Sequence, residues 1–285
     1  MSAFIDALSH WRFLDSGPGT AVYNMAVDEA VTDEVRSGSV PPTIRVYSWS
    51  PPAVSLGYAQ ILHEEIDPEK CAMYGIDVIR RQTGGRTVLH GCELTYSVIA
   101  PEGHPAIGNS AYETYRRVSE SLQTALEEVG VPVELAEAPD STPEGSAGAC
   151  FSYAARFELV VSGKKIAGSA QRRARGAVLQ HGSILLGPDH KRLPLLLPNR
   201  RHAERAELAA MLNDRTIDVS EILGRSVAPE EMTPLVRHGF ESGLEVSFID
   251  QPLTAQEEIA VARLSTGKYG HHEWNSKTRP FHVAR

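Results

Sequence analysis

Residues 157–171 read FELVVSGKKIAGSAQ. A run of strand character, then Ser162-Gly163, then a second extended run predict a two-residue β-hairpin. Alternation along the second arm sends Lys164 and Lys165 to opposite faces. One faces water. The other faces the side of Gly168-Ser169-Ala170, where small side chains leave room for a substrate. Two solvated lysines on a hairpin are the plainer reading of the same residues.

Working outward, DVIRR (77–81) and LTYSVIA (94–100) read as strands flanking a Thr83-Gly84-Gly85 turn. IRVYSW (44–49) reads as another strand, and AVLQHGSILL (177–186) as a mostly apolar, well-buried one. A helix is predicted over 22–37, stopped by Gly38. A short helix starts at Asp67 with Pro68 in its first position and ends near Gly75. Tyr115, Val118, Leu122, Leu126 and Val129 recur at helical spacing, and Gly130 ends that run. Beyond residue 186 the chain reads as helical, with Thr254 and Glu257 forming a capping box before a run to Gly267. Interspersed strands and helices predict an α/β (α+β) fold: one domain over 1–250 and a helical C-terminal extension, 251–285, that is not an independent domain.

The 285 residues suffice for a substantial core, and 42% hydrophobic with 22% charged residues is ordinary for a soluble globular protein. A net charge of -8 argues against a nucleic-acid binder. No apolar stretch of about 18 residues predicts a membrane span. The first residues, MSAFIDALSHWRFLDSG, lack the basic start and apolar run of a signal peptide. Three cysteines, Cys71, Cys92 and Cys150, are odd in number and sparse, which predicts reduced thiols and a cytoplasmic location.

The glycine pair permits positive φ angles and close backbone approach to a ligand. Arg80, Arg81, Arg86 and His90 crowd it, and unpaired cations beside exposed N–H groups suit an anionic or carbonyl ligand. A tight hairpin without function fits the glycines equally. His181-Gly182, on the following strand, reads as a carbonyl binder, a base, or a satisfied core histidine. Cys71 reads as helix packing, and nothing around Cys92 would activate it. Cys150 follows AEAPDSTPEGSAGA (136–149), a loop-like run of small residues that presents it at an edge. A thiol of pKa ~8.5 is only a few per cent ionised at neutral pH. A neighbouring ammonium favours the thiolate, and Lys165 is the candidate. A small buried hydrophobe is the alternative reading of Cys150.

Together these segments resemble the lipoate–protein ligase and octanoyltransferase superfamily, whose catalytic fold is shared with biotin protein ligases. The resemblance covers about residues 10–250. It is carried by Arg80-Arg81, Thr83-Gly84-Gly85 and His90, and by Lys165 followed by Ile166-Ala167-Gly168-Ser169-Ala170. It implies a mixed β-sheet flanked by helices. SILLGPDHKRLPLLLPN (183–199) lacks the downstream cysteine of the octanoyltransferases typical of the superfamily. Cys150 instead precedes Lys165, as in the Bacillus-type octanoyltransferase that loads the glycine cleavage H protein. The related amidotransferase, which moves octanoyl from H protein to dehydrogenase E2 subunits, shares that order. VLQHGSILL and LSTGKYGHHEWN (264–275) look more like the first. ATP-dependent ligases usually carry an accessory domain, for which the 35 residues beyond position 250 are too few.

The resemblance implies octanoyl transfer from acyl carrier protein through a Cys150 thioester to a lysine of a lipoyl carrier, without nucleotide, metal or other cofactor. Lys165 would stabilise the thiolate. Arg80, Arg81, Thr83, Gly84, Gly85, His90, Gly168, Ser169, Ala170, His181 and Gly182 would form the substrate site. Arg172, Arg173 and Arg175, the densest basic cluster, are the expected docking patch for acidic partners, or else a solvated charge run.

Overall fold

The computed structural model describes residues 10–136 and 157–276. Its main sheet is built from β1 (His10–Gly19), β2 (Thr43–Trp49), β6 (Glu93–Pro101), β10 (Ala167–Ala174), β11 (Ala177–Leu185) and β12 (Ser247–Asp250), in the order β10-β11-β6-β2-β1-β12. β1 pairs in parallel with β2 and β12, while β2, β6, β11 and β10 run antiparallel. The sheet is therefore mixed, as expected. A second sheet places β3 (Ala53–Leu56) between β4 (Asp77–Arg80) and β5 (Val88–His90). A third joins β7 (Glu134–Leu135), β8 (Leu159–Val161) and β9 (Lys164–Lys165).

The two faces of the main sheet follow from side-chain alternation. On β6, Leu94, Tyr96 and Val98 enter one apolar cluster, while Ile99 enters the other. The first cluster is covered by two helices, Ala111–Glu128 and Pro229–Leu244, through Val118, Leu122 and Phe240. The second is covered by α1 (Ala21–Ser37) and by Ala255–Leu264, through Met25, Val31 and Val261. The ends match the sequence signals. Gly38 closes α1 at φ 77°, Asp67 caps Pro68–Met73, and Thr254 forms its capping box with Glu257. No helix among the described residues is long and apolar enough to cross a membrane.

Three expectations need correction. The glycine pair does not turn a hairpin: β4 and β5 lie on opposite sides of β3, so residues 81–87 cross over its end. KKIAGSA is not one strand. Lys165 still pairs with Val160, whereas Ala167 already pairs with Ile184 of the main sheet. Fully buried Ile166 is the crossing point, donating to Leu159 O and accepting from Leu185 N. The region beyond 186 is not all helical, since β12 adds an edge strand beside β1. β1 and β3 also have no counterpart in the sequence reading.

The predicted Ser162-Gly163 hairpin is present, with both residues at positive φ, 50° and 76°. The helical segment past residue 250 is anchored at two points. Glu257 makes a bidentate pair with Arg12 (2.8 and 2.6 Å), both fully buried. Trp274 and Asn275 are tied to Arg80.

Candidate active site

Strand register places one row of residues across the α1 face of the sheet. Gly168 of β10 faces Ser183, Ser183 faces Thr95, and Thr95 faces Tyr47 of β2. In the next row, Ala170 faces His181 and His181 faces Ser97. These rows floor a cleft roofed by Met25 of α1 and closed on the second-sheet side by Ser55, Arg81, Val88 and His90. Three interstrand steps separate β10 from β2, about 14 Å. The far end is the Trp49 ring, stacked on His90 at 4.1 Å and 13°.

Two histidines line the cleft, each joining a hydroxyl to a buried carboxylate. His90 Nδ1 lies 2.7 Å from Glu93 Oε1, and its Nε2 lies 2.7 Å from Ser55 Oγ. Glu93 also accepts from Thr95 (2.7 Å) and Ser183 (2.6 Å). Burial opposes the charge of Glu93, but His90 and these hydroxyls more than offset it and hold its pKa below the usual value. His181 is arranged in the same way, with Nε2 2.6 Å from Thr83 Oγ1 and Nδ1 3.3 Å from Asp28 Oδ2. Burial lowers the His181 pKa, so the ring is neutral at neutral pH. A carboxylate only accepts, so Nδ1 donates to Asp28 and Nε2 accepts from Thr83. Burial also opposes the charge of Asp28, yet Arg45 at 2.6 Å and His181 keep its pKa low.

The polar groups of the cleft thus satisfy one another. Trp49 Nε1 donates to Thr95 Oγ1 (2.8 Å), and Thr95 in turn donates to Glu93. An alkyl chain laid on this surface strands no donor or acceptor.

The arginines of the glycine loop are not the unpaired cations expected. Arg80 is fully buried and donates to the carbonyls of Gly57, Tyr58, Gln60, Trp274 and Asn275. It holds the loop and the C-terminal helix rather than facing the cleft. Arg81 does line the cleft, and it donates to Ser55, to Gly84 O (2.8 Å) and to Arg86 O (2.7 Å). Guanidinium donors therefore set the loop conformation, with Gly85 at φ 92°. A Cβ on Gly57 would collide with the Gly85 carbonyl, so the loop packs backbone to backbone. A Cβ on Gly182 would likewise strike Gly168 O across the strands.

Lys164 and Lys165 diverge as alternation requires. Lys165 is 4% exposed, with Nζ 2.5 Å from Glu158 Oε1, while Lys164 stays near the surface. Gly168 and Ala170 face the cleft, but Ser169 Oγ bonds Tyr96 OH (2.5 Å) on the opposite face. Cys150 and residues 137–149 lie outside the described residues. Cys71 is buried and its pKa is raised to about 11 by burial and Asp67. The Cys92 pKa is raised by burial and by Asp189, Asp218 and Glu93, so neither thiol is activated.

The three arginines after the lysine motif part company. Arg173 reaches Ser110 O (3.0 Å) and Thr114 Oγ1 (2.7 Å) at the start of a helix. Arg172 points to the α1 face, donating to Gln82 O (3.1 Å), and Arg175 is exposed in the hairpin turn at φ 55°. Asp28, Ser55, Glu93, Thr95 and Trp49 were not singled out from the sequence. One signal was available, an aspartate on the apolar side of α1.

A mixed sheet carrying a glycine-rich loop, a buried lysine and an apolar cleft defines a lipoate-ligase-type catalytic domain. Residues 20–241 match the model of the lipoyl protein ligase A/B catalytic domain, and the chain belongs to that family. The octanoyltransferase LipM of Geobacillus kaustophilus is 42% identical over 275 residues, covering 94% of this chain and 98% of that protein. The LipM octanoyltransferase of Bacillus subtilis is 37% identical over 274 residues, covering 94% and 98%. Among solved structures, a bipartite lipoate protein ligase from Thermoplasma acidophilum superposes with a TM-score of 0.80 at 25% identity, covering 96% and 99%. A lipoate-protein ligase A bound with ATP gives a TM-score of 0.78 at 25% identity, covering 94% and 98%.

Proposed function

We propose that this chain is an octanoyltransferase of lipoate biosynthesis, an acyltransferase that takes octanoyl from acyl carrier protein and delivers it to a lysine of a lipoyl carrier. The glycine cleavage H protein is the acceptor proposed. The observation that carries the reading is the cleft, apolar to a ligand because its polar groups are paired with one another, and closed at Trp49. Eight carbons span about 9 Å between end atoms at ordinary bond lengths, which fits a floor about 14 Å across. The acyl chain lies across the strands, its methyl end at Trp49 and its carbonyl at the β10 edge beside Gly168.

Cys150 is the proposed nucleophile. Its thiolate attacks the donor thioester, the carrier thiol leaves, and the acceptor lysine then displaces Cys150 to form an amide. Amides are more stable than thioesters, so the transfer needs no nucleotide. Lys165, positioned by Glu158, supplies the positive charge that favours the thiolate. It also supplies a donor toward the tetrahedral oxyanion, a contribution of about 3 kcal/mol for one well-placed group.

Intact-mass analysis after incubation with octanoyl-acyl carrier protein tests this. The expected result is one octanoyl adduct, released by hydroxylamine and absent in Cys150→Ser. An adduct that persists in that variant removes Cys150 from the mechanism. Acylation only from octanoyl-H protein, or only from free acid with ATP, assigns a different family activity.

A further inference from the structure

Beside the cleft lies a second cavity of ≈ 180 Å³, between α1, the β10–β11 hairpin and residues Lys268 and Trp274. Four cations reach it: Arg36, Arg172, Arg175 and Lys268. Two carboxylates share the space, and each already has a partner. Asp33 pairs with Arg36 at 3.1 Å, and Glu29 with Lys268 at 2.5 Å. Among the described residues no carboxylate lies at ion-pair distance from Arg172 or Arg175. Two positive charges are thus left facing the cavity.

Arg172 is held in place by two contacts. Its Nη1 donates to Gln82 O, and its guanidinium stands 5.5 Å over the Tyr58 ring. The remaining N–H groups form a planar fork suited to phosphate oxygens.

We propose that this pocket binds the phosphodiester at the root of the donor's pantetheine arm, an inference that rests on the octanoyl-transfer reading above. Spacing selects this anion. With the acyl carbonyl beside Gly168, Arg172 lies four residues farther along the same strand, about 13 Å away. The thirteen bonds from thioester sulfur to phosphorus span roughly 16 Å when extended. The phosphorus therefore reaches the level of Arg172 and the Arg175 turn, on the same face of the sheet as the cleft.

The test compares octanoyl-phosphopantetheine with octanoyl-pantetheine as donors to the same lipoyl acceptor. In the unaltered enzyme the phosphorylated donor should have a KM lower by about tenfold. In Arg172→Gln/Arg175→Gln that KM ratio should fall to within about twofold of unity, with the change in KM rather than kcat. Arg175→Glu, on an exposed turn, should lower the ratio by itself and guards against misfolding of the double variant. Equal KM values in the unaltered enzyme, or an unchanged ratio in the variants, overturn the proposal while leaving octanoyl transfer standing. Competition by ATP but not by phosphopantetheine overturns it in favour of a nucleotide site. Failure to transfer octanoyl from either donor and from octanoyl-acyl carrier protein removes the octanoyl reading, and this inference with it.

Discussion

Burial lowers the proton affinity of His104, His181 and His190. His190 is buried, with Nε2 2.7 Å from Thr216 Oγ1, and burial lowers its pKa from 6.5 to about 4. The unfolded chain therefore takes up this proton at higher pH than the folded one. The stabilisation is complete above pH 6.5 and is lost as pH falls toward the folded value, about 3 kcal/mol in all. Burial lowers the His181 pKa too, so that ring adds to the loss in the same direction. Urea unfolding at pH 7 and pH 4.5 should show the decline, and His190→Gln should flatten it. An equally steep decline in that variant would assign the acid sensitivity to other groups.

Elements act here through register. No single strand carries the cleft. Gly168, Ser183, Thr95 and Tyr47 come from four strands and meet because the pairing aligns them. Trp49 closes the row, held by its hydrogen bond to Thr95 and its stack on His90. Trp49→Leu should open that end, raising the dodecanoyl-to-octanoyl ratio of kcat/KM by roughly tenfold or more. Competition assays with the two acyl carriers measure it. An unchanged ratio would mean that the chain does not end at this ring. The glycine loop shows the same dependence on neighbours. The sequence marks Gly84 and Gly85 as unusual, but β3 between β4 and β5 turns an expected hairpin into a crossing loop.

At the scale of the whole molecule, the C-terminal helices are part of the core. Glu257 neutralises Arg12 in full burial, and its pKa is held down by Arg12 and the Thr254 cap against the opposing effect of burial. Glu257→Ala leaves a guanidinium buried without its carboxylate and should cost about 3–5 kcal/mol. Replacing both partners with apolar residues of similar volume should recover much of that loss. Denaturant midpoints of the single and double variants check this, and a near-neutral single variant would show that water reaches Arg12.

Much was legible because it is local. Gly38 ends α1, Pro68 starts a helix, Ser162-Gly163 turns a hairpin, and Thr254 with Glu257 caps a helix, all through contacts a few residues apart. The residues around Arg81, His90, Lys165 and His181 could be named because their motifs, in that order along one chain, resemble those of a known superfamily; taken singly, each had a plain structural reading as well. What those residues touch was not legible. Asp28 meets His181 across 153 positions, and Arg12 meets Glu257 across 245. β1, β3 and β12 are strands because of the partners beside them.

The sequence alone determined the residue chemistry and the local turns, since both depend on neighbours along the chain. Only the tertiary structure decided that Arg80 faces carbonyls while Arg81 faces the cleft, that Ser169 turns away from it, and that the distant carboxylate of Asp28 orients His181. Burial and strand pairing are properties of the assembled fold, and the free energies that fix side-chain partners arise only when distant segments exclude water together.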